Sequence, residues 1–232
     1  MTAPVPAPTL ALVPSPQATP PQGDWADLAE QRLLDAALPL AAARGWSPRL
    51  IAEAGALAGL APGEAELLLP NGPRDLAALM ARRLDQTALE RLAGIDPKSL
   101  KMRERIARAV EARLEAAMAQ DGAVRRWVGF LALPSNTPLA LRLTWESADV
   151  LWRWAGDTAT DENHYSKRAI LSGILVGALA LRLSGGEAAA SAFLKARIDN
   201  VMAFETWKAG RKPVTVLQDV AEALGRMRYG RG

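Results

Sequence analysis

Residues 32–69 read RLLDAALPLAAARGWSPRLIAEAGALAGLAPGEAELLL. Leu33, Leu34, Ala37, Leu38 and Ala41 recur at helical spacing, and Gly45 ends the run. The spacing predicts a first helix over 25–44, with Asp24 as its N-cap and a kink at Pro39. A second helix follows from Pro48 to Leu57. A third, short one starts near Pro62 and ends before Pro70. Three short helices joined in this way form a helix-turn-helix pattern.

The rest of the chain repeats the helical signal. Helices are predicted over 74–92 and 97–119, the latter capped by Asp96 with Pro97 in its first turn. A short apolar helix covers 124–133. Thr137 caps the next, with Pro138 behind it, which runs to Gly156. A further helix ends at Gly185-Gly186, and Glu187 begins another that reaches Ala209. The run from Ala169 to Leu181 has no charge but is too short to span a bilayer. Its Gly173 and Gly177 read first as a site of close helix packing. Ala, Leu, Arg and Glu dominate, and period-2 alternation is not sustained anywhere, so the fold class is all-α.

The 232 residues divide into a Pro-rich leader (1–23), a helix-turn-helix part (24–92), a C-terminal helical part (93–209), and a basic linker with an amphipathic helix (210–232). The leader holds seven prolines and no charge, which forbids a helix and lacks organelle-import character. Val216, Leu217, Val220, Leu224 and Met227 share one side of the last helix, and residues 206–232 are basic by four charges. Such a helix can dock on its own domain or lie on an anionic membrane surface.

Chemistry is restricted. The chain has no cysteine and one histidine, His164, and shows no nucleophile elbow, P-loop or dinucleotide-binding turn. Asp157 and Asp161 supply too few ligands for a metal and read instead as helix-stop and helix-start groups. Neither a metal, a cofactor nor a catalytic residue is expected.

Residues 155–171, AGDTATDENHYSKRAIL, are the polar turn between two apolar helices. With their flanks, LPSNTPLALRLTWESADVLWRWAGDTATDENHYSKRAILSGILVGALA (133–180) and FLKARIDNVMAFE (193–205), they resemble the Coq-nine family of lipid-binding accessory proteins in ubiquinone biosynthesis. The resemblance implies an all-α homodimer with an apolar pocket. That pocket would take a ubiquinone intermediate, or another isoprenoid or phospholipid. It further implies presentation of that lipid to demethoxyubiquinone hydroxylase, with the C-terminal helix touching the membrane. The Ala/Arg-rich composition suits a bacterium, so the expected location is the cytoplasmic face of the inner membrane. Residues suited to wall the pocket are Leu139, Leu143, Trp145, Val150, Leu151, Trp152, Ile170, Ile174, Leu175, Leu179 and Phe193. Carried over from the family, the contact with the hydroxylase falls on Tyr165, Lys167 and Arg168, with His164 beside them. Glu162 and His164 replace usual aromatics and make that patch more polar.

The 32–69 stretch is similar to the TetR family of transcription regulators, which implies a TetR-like helical bundle. Its third helix, however, offers Glu64 and Glu66 and no cation, and phosphates would repel both. DNA is therefore not expected as a partner. A ligand-responsive TetR-type regulator is the alternative function, and a small hydrolase or lyase built on Asp157, Asp161 and His164 is a weaker third.

Overall fold

The computed structural model describes residues 22–157 and 162–209. Thr160, Asp161, most of the Pro-rich leader and the predicted helix with Val216, Leu217, Val220, Leu224 and Met227 lie outside the described residues.

The described residues form eight α-helices and no strand: α1 (Gln22–Arg44), α2 (Pro48–Leu57), α3 (Glu64–Leu68), α4 (Pro73–Leu92), α5 (Met102–Met118), α6 (Asp121–Leu131), α7 (Thr137–Trp154) and α8 (Glu162–Ala209). Single 3-10 turns precede α5 and α7. α1 begins at Gln22, so Asp24 lies inside it rather than at its cap, and the helix continues through Pro39. Asp96 caps only the turn Pro97–Ser99, accepting from the Lys98 N–H at 2.9 Å. Leu100 is extended, which stops the helix from starting at Pro97; α5 starts at Met102, with the Glu104 carboxylate accepting from the Lys101 N–H. Thr137 is already helical. The cap position belongs to Asn136, a buried side chain that donates to Phe130 O and accepts from Arg74 Nε.

Gly186 takes φ 78, ψ −167 inside α8, a conformation that favours glycine. The chain reverses there. A Cβ on Gly177 would lie 2.6 Å from the Phe193 ring. In a straight helix residues 16 positions apart are about 24 Å apart. α8 is therefore two arms, 162–185 and 187–209, folded against each other as the Gly185-Gly186 pair predicts.

Two core clusters result. One joins α1–α4 with α6 and the start of α7, through residues such as Leu33, Leu76, Leu79, Val124 and Trp127. The other joins the end of α4 with α5, α7 and α8 through Val110, Leu151, Leu171 and Ala178. Since α6 packs on α1, a cut at residue 92 does not separate the cores. Leu179 touches both clusters.

Candidate ligand-binding site

At the seam between the clusters lies a half-open cavity of about 240 Å³. α5 supplies Arg113 and Leu114; α6 supplies Trp127, Val128 and Leu131; α7 supplies Ala140, Leu143, Thr144 and Ser147; α8 supplies Leu175, Val176, Leu179 and Ala180. Apolar side chains make up most of the wall. Trp127 is fixed by its Nε1–H, which donates to Ala77 O at 3.0 Å. The buried residues Arg113, Trp127, Leu143 and Ser147 form the floor, while Val176 and Ala180 are exposed at the mouth.

The expected pocket residues divide three ways. Leu143, Leu175 and Leu179 line this cavity. Trp152, Ile170 and Ile174 line a smaller one of about 50 Å³ with Met102, Ile106 and Ile198. Leu139, Trp145, Val150, Leu151 and Phe193 line neither. Leu151 is a fully buried core residue, Phe193 lies on Gly177, and Trp145 packs against Tyr165 with ring centroids 6.1 Å apart. The α5 and α6 walls went unread in the sequence. Arg113 nevertheless left a signal: it stands at i+7 from Ile106 and i+3 from Val110, a charge on an apolar helix face.

The α7–α8 turn is held by ion pairs. Arg168 Nε donates to Asp149 Oδ1 at 2.7 Å, and its Nη1 donates to Asp157 Oδ2 at 2.9 Å and to His164 O. Lys167 Nζ lies 2.7 Å from Asp157 Oδ1 and 5.5 Å above the Trp152 ring, whose Nε1–H donates to Lys167 O. Burial alone would raise the Asp157 pKa. Hydrogen bonds from Lys167 and Arg168, with their charges, outweigh it and hold the carboxyl below its ordinary range.

Two expectations are corrected here. Arg168 is only 2% exposed, so it is not a surface contact for a partner; its charge fastens the two helices instead. Asp157 is the anion of that anchor rather than a simple helix stop. Of the remaining patch, Tyr165 is 65% exposed, and Lys167 and His164 are half-buried. Among the described residues no group of three metal-binding side chains occurs.

The helix-turn-helix presents Glu64 and Glu66 on α3, as its sequence implies. Of the nearby cations, Arg74 is engaged with Asn136 Oδ1 and Ser135 O.

Residues 137–205, which supply two of the four cavity walls, match the COQ9 family model. Proteins named "Ubiquinone biosynthesis protein COQ9, mitochondrial" align over 62% of the chain. The cow (Bos taurus) protein is 31% identical over 151 residues, the human (Homo sapiens) protein 30% over 153 and the Xenopus tropicalis protein 33% over 156. The chain is thus similar to the COQ9 family over this part of its length. It spans about half the length of these curated relatives, 47% of the cow protein and 48% of the other two. The fold is TetR-like. A TetR transcriptional regulator from Rhodococcus sp. RHA1 superposes with a TM-score of 0.58 at 16% identity, covering 78% of this chain and 98% of that one. At that identity the likeness shows the fold alone.

Proposed function

We propose that this protein is a non-catalytic, lipid-binding accessory protein of ubiquinone biosynthesis. It takes an isoprenoid quinone intermediate into the seam cavity and presents it to demethoxyubiquinone hydroxylase. The observation that carries this reading is the cavity itself, apolar along its walls and open at one side. Its volume of about 240 Å³ falls just under the usual range for small-molecule pockets, roughly 300–1,000 Å³. A ring with the first part of its tail fits that space, and the remainder leaves through the open side.

The surface suits a protein that works at a membrane as a homodimer. The stretch His164–Asn200 holds a window of mean hydropathy 1.7, long and apolar enough by length and composition to cross a membrane. That goes beyond the uncharged run of 169–181. In this fold the same stretch packs against α5 and α7 and is broken at Gly186, so we read it as a core helix with an uncovered side. Only 22% of the window is buried, and Tyr165, Ile170 and Val176 are exposed. The basic 206–232 segment supports contact with the cytoplasmic face of a bacterial inner membrane. The carboxylates of α3 oppose a repressor role.

Mass spectrometry of lipids that co-purify with the full chain, compared with a chain ending at residue 212, tests the reading. Co-purified isoprenoid quinone is expected with both, and vesicle binding with the full chain only. Lipid-free protein would sink the proposal.

A further inference from the structure

The cavity has apolar walls but a polar floor. Arg113 Nε donates to Asp85 Oδ1 at 2.5 Å, and the Ser147 hydroxyl donates to Asp85 Oδ2 at 2.8 Å. Arg113 is 6% exposed, Asp85 7% and Ser147 4%. Arg113 and Ser147 line the cavity; Asp85, on α4, stands behind them. Both carboxylate oxygens are thus engaged. Of the guanidinium, only Nε has a hydrogen-bond acceptor among the described residues, while the Nη donors belong to a side chain on the cavity wall. A buried ion pair is commonly no more stabilising than apolar side chains of the same volume. As a mere fastener of α4 to α5 it would have no reason to stand in the wall of an apolar chamber.

We propose that Arg113, held by Asp85 and Ser147, is a head-group site for an uncharged carbonyl oxygen. The occupant enters carbonyl end first, that oxygen accepts from Arg113 Nη, and the apolar tail leaves past Val176 and Ala180. Charge decides the class. Asp85 already neutralises Arg113, so a phosphate would bring uncompensated negative charge into an apolar chamber, whereas a neutral acceptor would not. A quinone carbonyl and an acyl ester carbonyl share this chemistry. The inference rests on the ligand-carrier reading above and deepens it.

Calorimetric titration of the full chain with three probes tests it: a short-chain isoprenyl benzoquinone, an acyl methyl ester, and an isoprenoid hydrocarbon of equal length. The Asp85→Leu/Arg113→Met double variant removes the pair without stranding a charge, and its melting curve checks folding. It is expected to bind the quinone about tenfold or more weakly, the worth of one hydrogen bond to a charged donor, with hydrocarbon binding unchanged. Arg113→Lys, which keeps the charge but loses the planar fork, should fall between, and it stands in if the double variant does not fold. A loss confined to the ester would keep the carbonyl site and assign it to acyl lipids. Equal carbonyl binding by native and variant protein overturns this inference alone. If none of the probes binds the native protein, the carrier reading falls with it.

Discussion

Arg168 and Asp157 meet at 2.9 Å across the turn that joins α7 to α8, with side chains 2% and 5% exposed. Asp149 completes the pairing from the other side of the guanidinium. Arg168→Met would remove the buried cation that bridges the two carboxylates, leaving Asp157 only the more exposed Lys167 and Asp149 only the exposed Arg153. We expect a loss of about 3–5 kcal/mol by urea denaturation, the usual cost of breaking a buried pair. Lys167→Met, at a more exposed position, should cost less than about 1 kcal/mol. Equal small losses would show that the turn is held by packing instead.

The same carboxylate gives the fold a pH dependence. The folded pKa of Asp157 lies below its ordinary 3.8, so its stabilisation is complete above the unfolded value. That stabilisation is lost as pH falls through the folded value, while Arg168 stays charged throughout. Native protein should therefore melt well above Asp157→Asn at neutral pH, and the gap should shrink below about pH 4. A constant gap across a melting series from neutral to acid would contradict this.

Gly173 and Gly177 share a helix but not an environment. A Cβ at Gly173 meets open space, and Gly173→Ala should stabilise by about 0.5–1 kcal/mol through helix propensity. A Cβ at Gly177 collides with the Phe193 ring. We expect Gly177→Ala to be about 1–2 kcal/mol less stable than Gly173→Ala, from overpacking. Repeating both in a Phe193→Ala background should erase the difference.

The cavity mouth offers a direct test of occupancy. Val176 is 57% exposed there, so Val176→Trp can obstruct entry without disturbing the core. Co-purified lipid per protein should fall severalfold, with the melting temperature within a few degrees of native. Undiminished lipid would place the ligand elsewhere.

Helix order, the three-helix start and the break at Gly185-Gly186 were legible because period, proline and glycine act locally. The anchor and the cavity floor were not. Arg168 follows Lys167 in a polar stretch, and nothing local distinguishes a buried cation from an exposed one. Its burial depends on Asp149 and Asp157, 19 and 11 residues away. The floor joins Asp85 to residues 28 and 62 positions on. Only the placing of Arg113 and Asp85 on otherwise apolar helix faces hinted at it. The expected pocket was drawn from α7 and α8 alone because the family resemblance at that point covered those helices best. Two of the four helices that wall the real cavity are α5 and α6.

The reversal at Gly186 also decides where the chain is heading. Its second arm runs back alongside the first, so Ile198 shares the smaller cavity with Trp152 and Ile170. The second arm, up to Ala209, thus returns toward the part of the bundle that carries Tyr165 and Lys167. The bundle is therefore polar in the geometric sense, because both ends of α8 lie together while its reversal lies apart.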